Sequence, residues 1–337
     1  MKISKRAIVV LLLAAASSAA ALYYLRRGPN AAPSAAAPEL ISLAPPDAAY
    51  LFYADLAALR SSPFVARLVA LVPATPAERD YLEFVRATGF DYGRDLDRFV
   101  LAVQPATAAN FTVALAEGRF DRGKIISYAL RTGKLEHQSG VEVYVVPSGT
   151  TGKSFALAFL NANRIALANG PSIAPLLAPR TPGLFMPGMR ERISRLAGAA
   201  FFAVGRVGPV PEDFSLGGVR SQQLVNLVRS LRWFSLAARP EGERMRVAAE
   251  GECDTREGAR QLAGTLDGLR LLGQAALADA QTRQRIPPET AAVLETLLRA
   301  AEVSRDAQRV RVLLELTSEM LGSATGKNTA ARPPARQ

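Results

Sequence analysis

The chain contains one cysteine, Cys253, and one histidine, His137, among its 337 residues. A single cysteine cannot form a disulfide within the chain, so the folded part must depend on burial of apolar side chains. A single histidine excludes any metal site that needs two, and no nucleophile motif surrounds Ser139 or Ser154. We expect Cys253 to be a small residue at the end of a strand, and His137 to be exposed at a strand end.

Acidic side chains are absent from both ends of the chain. Residues 1–27 carry five Lys or Arg and residues 327–337 carry three, so eight of the eleven net positive charges lie there. The rest of the chain has a net charge of only +3. A nucleic-acid-binding domain would concentrate basic residues in its folded part, so we expect no nucleic-acid partner.

An uncharged run of 19 residues, Ala7–Leu25, lies between basic residues. As a helix it would extend about 28 Å, close to the hydrocarbon thickness of a bilayer. Tyr23 and Tyr24 favour an uncleaved anchor with these rings at the membrane interface, whereas the small residues before Leu22 fit a signal peptide cleaved near Ala21. Three basic side chains precede the run and two follow it, which favours a cytoplasmic N-terminus.

This leader predicts a bacterial inner-membrane protein with a single span and its C-terminal part in the periplasm. The alternative is a secreted or periplasmic protein. Along the chain we expect a signal or anchor helix, a Pro/Ala linker, two folded halves and a disordered tail; their ranges are 1–27, 28–45, 46–182, 183–322 and 323–337.

Two stretches of the chain share the order strand, strand, helix. RFVLAVQ, FTVALAEG and FDRGKIISYALRTG follow one another in the first half, and RWFSLAARP, RMRVAAEG and CDTREGARQLAGTLDGLRLLG in the second. Both contain Glu-Gly-x-x-Asp, at Glu117–Asp121 and at Glu250–Asp254. We infer an internal duplication. The fold class is therefore α+β, with two related halves of antiparallel sheet packed with helices, plus the N-terminal transmembrane or signal helix.

Helix capping gives the shared motif a physical meaning. A glycine can end or bulge a strand, and an aspartate can accept backbone N–H bonds as a helix N-cap. We expect Asp121 and Asp254 to be N-caps, with Glu257 as a capping-box partner. The helix after Asp254 has a periodic apolar side that is expected to face the core; its members are Ala259, Leu262, Leu266, Leu269 and Leu272.

Three further motifs suggest chemistry, and each has an ordinary structural interpretation that we favour. PSGTTGKS, residues 147–154, ends like a phosphate-binding loop, but its first glycine is replaced by Pro147 and a strand follows, which favours a hairpin. The aspartates of DYGRDLD, residues 91–97, do not have the spacing of a calcium loop and fit a helix-capping turn with solvated carboxylates. The basic helix 189–196 fits a solvated or membrane-proximal face, and Trp233 is expected in the core.

Two segments, PDAAYLFYADLAALRSSP and TGFDYGRDLDRFVLAV, carry a resemblance to known sequences. They resemble recurring segments of uncharacterised, exported or membrane-anchored bacterial proteins that contain domains of unknown function. The resemblance covers residues 45–170. It implies an exported α+β protein, often built of repeated units, and it implies no catalytic residues.

These observations favour an envelope protein that is a non-enzymatic binding or scaffold module facing the periplasm, with a partner protein or an apolar ligand. One alternative is a periplasmic, hydrolase-like enzyme that uses a carboxylate pair; the candidate acids are Asp91, Asp95, Asp97, Glu117 and Glu250. A second alternative is binding of an apolar ligand or lipid between the halves. The sequence assigns no residue to catalysis, to a cofactor or to a metal.

Overall fold

The computed structural model describes residues 37–71, 79–105, 110–148, 153–177, 188–208, 222–279, 284 and 288–323. The predicted leader Ala7–Leu25 and residues 324–337 of the predicted tail lie outside these ranges. Within them, no helix has the length and apolar character needed to cross a bilayer. The described chain is α+β, with extensive antiparallel sheet and numerous helices, as the sequence predicts at this level.

The described residues divide into two compact units. The first contains those up to Arg206 together with Ser235–Arg239, and the second contains those of Val207–Phe234 and those from Pro240 onwards. The predicted border between the halves, at residues 182 and 183, differs from this division. Residues 201–206 are grouped with the first unit because they form a strand that pairs with the first strand of the chain.

The first unit combines eight consecutive strands with short helices. Its strands are β1 (Tyr50–Asp55), β2 (Leu96–Gln104), β3 (Phe111–Gly118), β4 (Lys134–Gln138), β5 (Val141–Ser148), β6 (Lys153–Asn161), β7 (Arg164–Asn169) and β8 (Phe201–Arg206). Its helices are α1 (Ala37–Ser42), α2 (Leu56–Arg60), α3 (Pro63–Leu71), α4 (Arg79–Thr88), α5 (Tyr92–Asp95), α6 (Arg122–Ala129), α7 (Ala174–Leu177) and α8 (Met189–Arg195). The strand order is β8-β1-β2-β3-β7-β6-β5-β4, and all neighbours are antiparallel.

The second unit has longer helices on a smaller set of strands. Its strands are β9 (Leu231–Glu241, whose residues 235–239 belong to the first unit), β10 (Arg244–Cys253), β11 (Glu302–Asp306) and β12 (Arg309–Thr317). Its helices are α9 (Gln222–Arg229), α10 (Arg256–Ala278), α11 (Pro288–Ala300) and α12 (Ser318–Ser323). Strand β12 lies between β10 and β11 and is antiparallel to both.

Apolar side chains form the core of each unit, as the lack of disulfides requires. In the first unit, α6 packs on the sheet through Ile125 and Ala129, against strand residues that include Leu157 and Ile165. Helix α1 also belongs to this core, because Leu40 is fully buried and Ile41 nearly so. The segment predicted as a linker, residues 28–45, therefore includes a helix that packs into the fold.

The hairpin predicted for PSGTTGKS is confirmed by the pairing of its two strands. Strands β5 and β6 pair from Ser148 and Lys153, so the PSGTTGKS segment joins two antiparallel strands, although residues 149–152 lie outside the described chain. A turn at Asp306 and Ala307 joins β11 to β12, and Ala307 has a positive φ of 52°. Trp233 is buried, as expected.

The two predicted helix caps have different outcomes. Asp121 is the N-cap of α6, because its carboxylate accepts a bond from the Lys124 N–H at 3.1 Å. The prediction for Asp254 is wrong: α10 begins one residue later, and Thr255 accepts the bond from the Gly258 N–H at 2.9 Å. Glu257 is then one position too early for a capping box, and it pairs with Arg260 instead.

Gly118, at the end of β3, lies against the backbone of α5. A Cβ atom at this position would lie 2.2 Å from the Asp95 carbonyl oxygen, which accepts a bond from the Arg119 N–H. Close approach of two backbone segments is a role that only glycine can fill. The glycine of the first Glu-Gly-x-x-Asp motif is therefore required by packing.

We predict that Gly118→Ala destabilises the protein by about 1–3 kcal/mol, because backbone must move to accept the methyl group. Gly264→Ala is the matched control, since a Cβ atom at that position on α10 would have nothing within 4 Å of it. That change should be neutral or stabilise by up to about 1 kcal/mol through helix propensity. Urea unfolding followed by circular dichroism measures both, and equal effects of the two substitutions would contradict the packing argument.

Candidate functional site

Four charged residues lie side by side on four neighbouring strands of the first unit. The strand register places Asp55 of β1 opposite Arg98 of β2, and Arg98 opposite Glu117 of β3. Glu117 in turn lies opposite Arg164 of β7. Negative and positive side chains therefore alternate along one line across the sheet. We call Asp55, Arg98, Glu117 and Arg164 the charged row.

Direct ion pairs connect every member of the charged row. Arg98 Nε lies 3.2 Å from Asp55 Oδ2, and Arg98 Nη1 lies 2.6 Å from Glu117 Oε1. Arg164 Nε lies 2.8 Å from the second Glu117 oxygen, Oε2. Asp55, Arg98 and Glu117 are only 7–8% exposed. Charges this deeply buried are tolerated only when each has an oppositely charged, hydrogen-bonded partner.

Helices are attached to both ends of the charged row. Asp55 Oδ1 accepts a bond from the Ala58 N–H at 2.8 Å and so caps the N-terminus of α2. At the other end, two nitrogens of Arg164 donate to the two carboxylate oxygens of Glu39 on α1, each at 2.8 Å. This bidentate geometry is among the stronger forms of ion pair. The charged row therefore joins four strands and two helices.

The charges of the row also shift the pKa values of its members and neighbours. Burial alone would lower the pKa of Arg98, but its hydrogen bond to Asp55 and the nearby negative charges raise it overall. Hydrogen bonds to Glu39 and Glu117 raise the pKa of Arg164, and the bond to Arg164 lowers the pKa of Glu39. Burial, followed by the charge of Asp55, raises the pKa of Tyr53. The arginines thus remain protonated, and Tyr53 remains neutral.

The aspartates of DYGRDLD form a capping turn, as predicted, but two of them are not solvated. Asp91 caps α5 by accepting a bond from the Gly93 N–H at 2.8 Å, and Asp95 accepts one from the Asp91 N–H at 2.9 Å. Both are buried because the turn packs beneath the end of β3. Burial raises the pKa of Asp95, but bonds from Arg94 and from the Asp91 N–H outweigh it and lower the pKa overall.

The remaining candidate acids also have arginine partners. Asp97 pairs with Arg60 at 2.9 Å, and Arg60 also donates to the Leu96 carbonyl at 2.6 Å. In the second unit Glu250 lies opposite Arg311 and pairs with it at 3.0 Å. Among the described residues, no group of three or more His, Cys, Asp or Glu side chains is arranged to hold a metal ion.

All five candidate acids thus make structural contacts in this fold. Asp91 caps a helix, and the carboxylates of the other four each contact an arginine. An acid–base pair would need a carboxylate whose pKa is raised toward neutrality, whereas the pKa of Asp95 is lowered. The geometry therefore favours a role for these acids in stability.

Two of the singled-out side chains lie where the sequence predicts. His137 is exposed near the end of β4, and Cys253 is buried at the end of β10. Burial raises the pKa of the Cys253 thiol, which makes the reactive thiolate form scarce at neutral pH. Helix α8 is less solvated than predicted, because Arg192 is buried and donates to the Gly188 carbonyl at 2.9 Å.

Helix α10 contradicts the sequence prediction over its C-terminal half. Ala259 and Leu262 are buried and Leu266 packs against them, as expected. Leu269 and Leu272, however, are 42% and 67% exposed, although they continue the same periodic pattern. The helix is about 34 Å long for its 23 residues, and its cluster of contacts with β10 and β12 ends near Leu266.

The C-terminal half of α10 has an outward side that is entirely apolar. With about 100° between successive residues, its exposed residues fall within about half of the helix circumference. They are Leu269, Leu271, Leu272, Ala275, Ala276 and Ala278, and we call them the apolar arc. On the opposite side, Gln274 donates to the Leu298 carbonyl of α11 at 3.0 Å, and Gly273 fits against the Leu298 side chain.

The same outward side is polar in the N-terminal half of α10. Its exposed residues there include Glu257, Arg260, Gln261 and Thr265, and the last of these donates its hydroxyl hydrogen to the Gln261 carbonyl. The residues on this side change from polar to apolar at Gly268, and the side is exposed to solvent both before and after that position. An apolar side that faces solvent is unusual for a surface helix, which makes this side of α10 a candidate interaction site.

Comparison with known proteins gives little to add to this geometry. No family model matches the chain, and no curated protein matches it. Solved structures of TP0453 in crystal forms I, IV and III align with TM-scores of 0.38, 0.41 and 0.43 and with 11%, 10% and 9% identity. These alignments cover 82–83% of this chain and 92–94% of the other. Such low scores do not establish a shared fold, so function must be argued from the residues themselves.

We predict that Arg98→Met destabilises the protein by about 3–5 kcal/mol, because it leaves Asp55 and Glu117 buried without their shared partner. Arg244→Met is the matched control, since Arg244 also reaches an acid on a neighbouring strand, Glu315, but in an exposed pair. Its cost should be below about 1 kcal/mol. Urea unfolding followed by circular dichroism measures both costs. Similar costs for the two variants would show that burial does not make the charged row more important to stability than an exposed ion pair.

Proposed function

We propose that this protein is a non-enzymatic binding module of the bacterial envelope, and that it binds a partner protein through the apolar arc on α10. The observation that carries the proposal is the exposure of three leucines on one helix, at 42%, 56% and 67% for Leu269, Leu271 and Leu272. Leaving a leucine in water rather than burying it forgoes about 1.5–3 kcal/mol. A partner that covers the arc would recover part of this free energy.

The shape of α10 supports a role in binding. Its N-terminal half is fixed to the sheet by Ala259 and Leu262, so the C-terminal half is presented on a structured base. Contacts with α11 hold the inner side, including the bond from Gln274 to Leu298. A surface that is rigid before binding loses less conformational entropy when a partner binds.

The pairing of the candidate acids argues against the enzyme alternative. A hydrolase that used two carboxylates would need at least one of them to exchange protons with a substrate. Among the five candidate acids, Glu117 lies between Arg98 and Arg164 in the charged row, where it is buried and contacts both arginines. Engaging it in catalysis would disrupt the pairing that connects β2, β3 and β7.

The proposed location depends on the leader. The run Ala7–Leu25 and its basic flanks support an inner-membrane anchor with the folded units in the periplasm, or a secreted protein after cleavage near Ala21. A fold that contains one buried cysteine and no disulfide is compatible with either location. The resemblance to exported proteins of unknown function also supports it.

The proposal includes an origin of the two halves by duplication. Its support is a common order of elements, in which β2, β3 and α6 correspond to β9, β10 and α10, and a later hairpin strand pairs with β3 or β10. The shared motif is not equivalent in the two copies, however. Glu117 faces Arg164 at the start of β7, whereas the residue that faces the start of β12 is Glu252, two positions after Glu250.

The binding role is tested by placing a photo-cross-linking amino acid at position 272 of the full-length chain in intact bacterial cells. We expect a discrete cross-linked protein product, because Leu272 is the most exposed leucine of the arc. Position 265 is the matched control, since Thr265 is also exposed on the outward side of the same helix. Equal product at the two positions, or none at position 272, would contradict the proposal.

A further inference from the structure

We infer that the partner of the apolar arc is a second copy of this chain, bound with the two α10 helices antiparallel. The inference rests on the proposed binding role of the arc and names its occupant. Two features of α10 support it: the distribution of large and small side chains along the arc, and the balance of charges around it.

Large side chains lie at one end of the arc and small side chains at the other. Its first three residues are leucines, at positions 269, 271 and 272, and its last three are alanines, at positions 275, 276 and 278. When two such helices cross antiparallel, the leucines of one lie over the alanines of the other. The positions at the same height along the two helices are 269 and 278, 271 and 276, and 272 and 275. The surface is therefore complementary to itself in size.

A parallel arrangement would not have this property. It would set leucine against leucine and alanine against alanine, which separates the helices at one end and leaves a gap at the other. Interaxial distances of about 8–10 Å depend on the side chains at the contact, and small residues allow the closest approach. An isologous interface with twofold symmetry is also the commonest form of association between identical chains.

The charges around the arc are balanced rather than of one sign. On α10 Arg260 pairs with Glu257 and Arg270 with Asp267, each within one turn. On α11 Arg299 pairs with Glu295 at 2.7 Å. A strongly acidic partner, or an anionic lipid surface, would be favoured by an excess of basic residues. A neutral border of this kind accepts an identical neutral surface without repulsion.

Helix α11 contacts α10 on the side away from the arc. Leu294 is 39% exposed and lies one turn before Leu298, which contacts α10. An antiparallel pairing of two copies would assemble four helices, which is a common way to bury apolar helix faces.

Chemical cross-linking of introduced cysteines tests both the occupant and its direction. Full-length chains with Leu271→Cys and chains with Ala276→Cys, carrying different tags, are co-purified in detergent and treated with a short thiol-to-thiol reagent. We expect the mixed sample to give a covalent dimer that contains both tags, several-fold more than either variant alone. Cys253 is buried, so the native thiol should not interfere, and the unsubstituted chain checks this.

The matched control is a mixture of Gln261→Cys and Thr265→Cys chains, whose substituted residues are exposed on the polar half of the same side of α10. Mixed product no greater than in this control would overturn the inference, and Leu271→Cys reacting best with itself would replace the antiparallel arrangement by a parallel one. Photo-cross-linking at position 272 to a different protein would retain the proposed binding role and overturn self-association. No product in either experiment would overturn both.

Discussion

The charged row is the interaction on which the first unit depends. Arg98 is held between Asp55 and Glu117 inside the sheet, where an unpaired charge would cost several kcal/mol. Because the strand register pairs these residues directly, a slip of one position would move every member of the row to the other face of the sheet. The row therefore favours a single alignment of β1, β2, β3 and β7, and through Asp55 and Glu39 it fixes α2 and α1 to that alignment.

The same kind of pairing accounts for most of the acids that were candidates for catalysis. Asp91 caps a helix and each of the other four contacts an arginine, so these carboxylates are used in structural contacts. The chain has few lysines, and arginine suits this task because its planar group can bond two carboxylates at once, as Arg98 and Arg164 do. The function that we propose rests instead on the exposed leucines of the apolar arc on α10.

Local patterns in the sequence predict much of the fold. The hairpin between β5 and β6, the cap at Asp121 and the buried Trp233 follow from turn and cap chemistry and from the alternation of apolar residues. Pairing between distant segments is different: nothing in the spacing of Asp55, Arg98, Glu117 and Arg164 indicates that four strands place them in one line. The exposure of Leu269 and Leu272 is also hidden from periodicity, because a helical pattern shows which side is apolar but not where the supporting sheet ends.

A double-mutant cycle on Arg98 and Glu117 tests the central claim, that the row acts as a connected unit, most directly. The two single variants, Arg98→Met and Glu117→Leu, and the double variant are compared by their free energies of unfolding. The account predicts that the double variant costs less than the two single variants added together, by more than about 1 kcal/mol, because each single variant already removes the Arg98–Glu117 ion pair and the sum therefore counts its loss twice. Additive costs, within about 0.5 kcal/mol, would contradict it.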